Sequence, residues 1–152
     1  MMKAAFFGMT DGEMDMWHAQ HTLDTTAPPE RVWARLQVVA EWPQWDLGLT
    51  WAELPGAFSA GAQGTMKFRS EAPRSFLLSA VNDEAGFTAL TRLPLAQVRH
   101  IHHQESSAIG TRITHRIEIS GPLFWLYALS RGRRMREALA PSMRLLARQS
   151  CA

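Results

Sequence analysis

Between residues 49 and 120 the chain is cut into six short strand-like runs, and the breakers between them leave room for little more than tight turns. The runs cover residues 49–54, 64–70, 74–82, 86–93, 95–105 and 111–120. Pro55-Gly56, Gly61 with Gly64, Pro73, Asn82-Asp83, Pro94, and Ser106-Ser107 with Gly110 separate them. Glycine and proline punctuate strands because one supplies unusual backbone angles and the other lacks an amide proton. Strands joined so closely pair antiparallel, since a parallel pair needs a crossover of about a dozen residues or more. A seventh strand is predicted over residues 16–24, where Trp17, Ala19, His21 and Leu23 alternate with more polar neighbours.

Helices flank this meander. Thr25-Thr26-Ala27-Pro28-Pro29-Glu30 reads as a helix start, because proline is tolerated where the first amides lack partners and Glu30 complements the helix dipole. The helix that follows places Val32, Trp33, Leu36, Val39 and Ala40 on one stripe. It is expected to stop near Glu41, since Trp42 precedes Pro43, and Pro43 to begin a second short turn containing Trp45. Gly121-Pro122 opens a last helix running toward Gln149. Its apolar stripe, Leu126, Leu129, Met135, Leu139, Met143 and Leu146, is expected to face the sheet, with a kink or break near Pro141.

A chain of 152 residues suits one domain, expected over residues 16–149, with residues 1–15 a poorly ordered lead-in. A domain this size buries about 68–70% of its unfolded surface and needs no disulfide or metal staple. The single cysteine, Cys151, has no partner for an internal bridge, which suits a reducing compartment. The apolar patch at residues 4–9 is short for a signal peptide, and Asp11, Glu13 and Asp15 follow it. No run approaches the roughly 18 apolar residues of a membrane span. A cytoplasmic protein without integral membrane association is the expectation, as monomer or homodimer. Net charge is only +2, yet residues 121–149 hold six arginines against the single acid Glu137. The aromatic residues there, Phe124, Trp125 and Tyr127, precede the basic run as packing residues, so nucleic-acid binding is not expected. The run reads as a solvated helix face, or, as an alternative, a protein-interaction surface centred on residues 131–136.

The run Thr26-Ala27-Pro28-Pro29-Glu30-Arg31-Val32-Trp33, followed by Trp42-Pro43-Gln44-Trp45-Asp46, resembles the opening of the START-like, Bet v 1-like (SRPBCC) superfamily. The similarity is to its bacterial polyketide cyclase/dehydrase branch in particular. Gly110-Thr111-Arg112-Ile113-Thr114 resembles that branch's last strand, and Gly121-Pro122-Leu123 its entry into the final helix. The resemblance covers residues 16–149. It implies an α+β helix-grip fold, in which a curved antiparallel sheet of about seven strands, in the order β-α-α-β6-α, wraps a long C-terminal helix. It also implies an internal cavity for a lipid, quinone or aromatic polyketide. Fold does not choose among the carriers, cyclases and other proteins of that superfamily.

The sharpest local anomaly lies in residues 111–120. Thr111, Ile113, His115, Ile117 and Ile119 form the apolar row, so His115 stands on the inner face. The preceding strand carries His100, His102 and His103. If the turn pairs Glu105 with Gly110, His102 faces Ile113 and His100 faces His115, placing His100, His102 and His115 on one face. A one-residue slip would instead turn Ile101 and His103 inward. These histidines suit three roles: hydrogen-bonded core residues, polar anchors of an apolar pocket, or metal ligands. No carboxylate partner supports the metal role, and neither a metal nor a cofactor is expected. The candidate ligand-binding set is His115, His100, His102, Trp51, Phe68, Phe76, Phe87, Ile113, Ile117 and Trp125, with His115 the one candidate for acid–base catalysis. Arg69, Arg92 and Tyr127 are candidate donors, Arg69 being read as outward-facing. No serine sits in a nucleophile elbow and no phosphate-binding glycine loop occurs. Binding of a hydrophobic small molecule is the leading functional expectation, with a cyclase or dehydratase as the alternative.

Overall fold

The computed structural model describes residues 16–151, so the expected lead-in at residues 1–15 lies outside the described residues. The elements are β1 (Met16–Thr25), α1 (Pro29–Gln37), a 3-10 segment (Val39–Gln44), β2 (Leu49–Glu53), β3 (Gln63–Phe68), β4 (Arg74–Asn82), β5 (Gly86–Leu93), β6 (Ala96–Ser106), β7 (Thr111–Ser120) and α2 (Phe124–Cys151). The seven strands form one sheet in the order β1-β7-β6-β5-β4-β3-β2. Every neighbouring pair is antiparallel. Four strand-to-strand connections are the short turns that the breakers predict, and the fifth, between β2 and β3, is a nine-residue loop over residues 54–62. The remaining link carries the chain from β1 through α1 and the 3-10 segment to the far edge. Register shifts in β2, between Leu49 and Trp51, and in β4, between Leu78 and Ala80, interrupt the ladders. Such bulges bend a sheet and strengthen its twist. The sheet curls around α2, which packs on β1, β7 and α1, and this is the helix-grip arrangement.

Three local expectations are corrected. First, α1 ends at Gln37 rather than near Glu41, because Val38 leaves the helical region at φ −92° and ψ 85°. Val39 is buried but Ala40 is exposed. Pro43 lies inside the 3-10 segment rather than starting a turn, and Trp45 follows it. Tertiary anchoring explains the tighter winding. The Trp42 indole N–H donates to the Leu36 carbonyl at 2.9 Å, and both Trp42 and Trp45 are buried.

Second, α2 runs unbroken through Pro141. An interior proline costs about 3 kcal/mol, but Leu139, Ser142, Met143 and Leu146 are buried on both sides of it. Packing of that face holds the helix together across the missing hydrogen bond. Third, Leu126 and Leu129 face solvent. The buried stripe continues toward the N-terminal end through Gly132, where a Cβ would lie 3.0 Å from the Trp17 ring.

The interior divides into two apolar clusters. One joins α1, the 3-10 segment and β2–β5 through Val32, Trp33, Trp42, Trp45, Phe76 and Phe87, and takes in Ile113 and Met143. The other, Ala19, Leu93, Val98, Ile117, Ile119 and Leu139, joins β1 and β5–β7 to the middle of α2.

Candidate functional site

The β6–β7 turn decides which side chains meet. Ser107 and Gly110 exchange backbone hydrogen bonds, closing a two-residue hairpin around Ala108 and Ile109. A side chain at Gly110 would place its Cβ 2.4 Å from the Thr25 carbonyl, so only glycine permits that approach. Ser106 therefore pairs with Thr111, His102 with His115, and His100 with Ile117. The register is displaced by two residues from the expected one, so the partners change while the face does not. His100, His102 and His115 all point inward and all are buried.

The three imidazoles form part of an aromatic row. Phe87 on β5 stacks on His102 at 4.5 Å between ring centroids. His102 lies 3.8 Å from His115, and Trp45 meets its edge at 5.5 Å. His100 stacks with Phe68 at 5.8 Å and lies 6.2 Å from His115. On β1, His21 is paired opposite His115. Rings layered in this way do not converge their nitrogens on one point. Among the described residues no group of three or more His, Cys, Asp or Glu is arranged to hold a metal ion.

Burial sets the charge of this cluster. Desolvation lowers His100 to about 4. It lowers His115 to about 3, with His100 adding repulsion. His102 is driven well below its ordinary value by burial and by both neighbours. All three are neutral at pH 7, because burial strips a charged imidazole of its hydration and neighbouring imidazoles would repel it. Neither ring nitrogen of His115 has a hydrogen-bond partner, and Nδ1 of His102 has none. A buried polar atom without a partner costs about 1–3 kcal/mol.

His100 and His115 open onto a cavity of about 280 Å³. Thr91, Leu93, Val98, Ile117, Met135 and Leu139 make its inner wall, and Phe68 with Asp46, Leu47 and Gly48 the opposite side. The Thr91 hydroxyl is buried and also has no partner. Asp46 is half-buried. Burial raises its carboxyl to about 6, although the Gly48 N–H, donating to Oδ1 at 3.1 Å, pulls the other way. At the rim stand Arg69, Glu71, Arg74, Arg131 and Arg134.

Of the residues expected at a site, His100, His115, Phe68 and Ile117 line the cavity. His102 lies behind His115. Phe76, Phe87 and Ile113 belong to the packed cluster at the α1 end. Trp51 and Trp125 are exposed, Trp51 just past the β2 bulge and Trp125 in the first turn of α2. Arg69, read as outward, reaches the rim by donating its Nε to the Leu47 carbonyl at 3.1 Å. Tyr127 donates to the Pro94 carbonyl outside the cavity, and Arg92 is exposed. Sequence reasoning missed Asp46, Glu71, Arg74 and Thr91. Thr91 was legible on the apolar row of β5, whereas Glu71 sits in a turn and shows its role only through contacts distant in sequence.

No protein-family model matches the chain, and no curated protein does. Solved structures do. The hypothetical protein jhp0584 from Helicobacter pylori is 13% identical with a TM-score of 0.72, over 92% of this chain and 90% of that one. Truncated norcoclaurine synthase from Thalictrum flavum is 15% identical with a TM-score of 0.63, over 87% and 91%. Ara h 8.0201 is 9% identical with a TM-score of 0.58, over 90% and 98%. The chain has the Bet v 1-like, helix-grip fold. No described helix is long and apolar enough to cross a membrane.

Proposed function

We propose that this protein binds a small, largely hydrophobic molecule in the cavity between β5–β7 and α2. The observation that carries this reading is His115, a buried side chain with two unpartnered nitrogens beside the apolar Leu93, Val98, Ile117, Met135 and Leu139 of the cavity wall. Ligand pockets have that composition: apolar lining with a few placed polar groups. A hydroxyl or carbonyl on the ligand would satisfy His115 and could also reach the Thr91 hydroxyl.

A catalytic reading would use the same imidazole, and one fold neighbour is by name a synthase. Magnitude argues against it. A base whose conjugate acid titrates at about 3 takes protons poorly at pH 7, where efficient general bases lie near the operating pH. The basic helix as a protein-contact surface also loses support, because several of its arginines are engaged. Arg131 pairs with Glu71, Arg133 with Glu137, and Arg136 lies over the Trp17 ring.

Titration with the neutral reporter N-phenyl-1-naphthylamine, competed by dodecanol and dodecane, tests the proposal. Saturable one-site binding with a raised Tm is expected. His115→Phe should weaken dodecanol about tenfold while leaving dodecane little changed, the loss of one buried hydrogen bond. A flat titration with no thermal shift across the set refutes it.

A further inference from the structure

The cavity rim carries more fixed positive charge than its own packing uses. Glu71, in the turn between β3 and β4, accepts two hydrogen bonds from Arg131, Nε at 3.1 Å and Nη2 at 3.3 Å. This fork geometry matches one guanidinium to one carboxylate. Two further arginines converge on the same carboxylate without bonding to it: Arg74 Nε and Arg134 Nη2 each stand 3.9 Å away. Arg74 Nε is buried and has no hydrogen-bond partner, so a donor stands open at the rim while the rest of the side chain is partly exposed. Arg69 gives its Nε to a carbonyl, which leaves its charge uncompensated. The other carboxylate of the lining, Asp46, is raised to about 6 by burial and so still carries most of its negative charge at pH 7. Glu71 and Asp46 together leave two of the four arginines at this rim, Arg69, Arg74, Arg131 and Arg134, without a matching negative charge.

We propose that the ligand of this cavity is an amphiphile whose anionic oxygen head group, a carboxylate or phosphate monoester, is held at the rim by Arg74 and Arg134, with the Glu71–Arg131 pair keeping those arginines in place. This rests on the cavity being the binding site, and it adds the ligand's chemical class. The apolar tail then fills the wall around Val98, a hydroxyl or carbonyl along it meets His115, and the head group supplies the acceptor that Arg74 Nε lacks. Arginine suits both head groups, since its planar donor fork matches carboxylate and phosphate oxygens alike.

Displacement of N-phenyl-1-naphthylamine by dodecanoate, dodecyl phosphate, dodecanol and dodecylamine tests this. Either anion should displace the reporter about tenfold more tightly than dodecanol, with dodecylamine weakest. Whichever anion wins identifies the head group. The preference should shrink at high salt, because charges at an exposed mouth are screened. Arg134→Gln should lower the preference for the anion over dodecanol several-fold, with Tm little changed because the side chain lies largely in solvent. Equal displacement by anion and alcohol, or preference for the amine, overturns the head-group assignment while the cavity reading stands. Failure of the reporter and every competitor to bind overturns both.

Discussion

An imidazole buried beside two others, with no acid in the cluster, can only be neutral, and that makes its protonation a cost of folding at low pH. His100 titrates at about 4 and His115 at about 3 in the fold, against an ordinary value near 6.5. The unfolded chain therefore binds more protons than the native one throughout the interval between those values. Stability should be intact above pH 6.5 and fall as pH drops toward 4, by about 1.4 kcal/mol per pH unit from each histidine once well below 6.5. Urea unfolding from pH 7.5 to 4.5 measures this. His115→Phe should flatten the curve, and an unchanged slope in that variant would mean the ring is not desolvated. At this scale the sequence was partly legible. Strict alternation in residues 111–120 places His115 inside, and it does lie there. That His115 would face His102 rather than His100 was not legible, because the hairpin closes around Ala108-Ile109 instead of a longer loop. Nor was the arginine rim: Glu71 and Arg131 stand 60 residues apart, and nothing in their local patterns announces a pair.

At the scale of elements, strands were legible and helix details less so, for one physical reason. A strand declares its buried face by alternation and its ends by breakers, whereas a helix face is chosen partly by what packs on it. In α2 the apolar letters pointed to Leu126 and Leu129, but Gly132 takes the inner position because Trp17 occupies the space a side chain would fill. Arg136 lies 5.1 Å over the same Trp17 ring, so the indole is clasped between helix backbone and guanidinium. Gly132→Leu should push the helix away from β1. A loss of about 1–3 kcal/mol is expected from overpacking, even though leucine is the better helix former by roughly 1 kcal/mol. Thermal unfolding checks the sign. A Tm that rises would show that Trp17 can move aside and that propensity outweighs packing.

Across the whole molecule, the curved sheet is too wide to be filled from one side by one helix. The α1 end solves this with tryptophan and phenylalanine: Trp42 stacks on Phe87 at 5.6 Å and meets Phe76 at a tilt at 5.5 Å. The α2 end has smaller residues, Val98, Leu93 and Ile117, and a void remains between them and Phe68. The order of elements and the resemblance of the helix openings made the architecture legible. The resemblance implied a void but not its place, which depends on which aromatic residues fill which end, and sequence assigned Trp51 and Trp125 to an interior they do not enter. An unfilled space is destabilising by about 24 cal/mol per Å³ when made by truncation. A protein that keeps one gives up stability that filling could restore, as expected where function requires the space. Val98→Phe directs extra volume into the void. It should raise Tm by about 2–4 °C, equivalent to roughly 1 kcal/mol in a chain of this size, and should weaken N-phenyl-1-naphthylamine more than tenfold. Stability and binding are expected to move in opposite directions in this one variant. A lower Tm with binding retained would mean that the wall at Val98 is packed and that the ligand, if any, lies elsewhere.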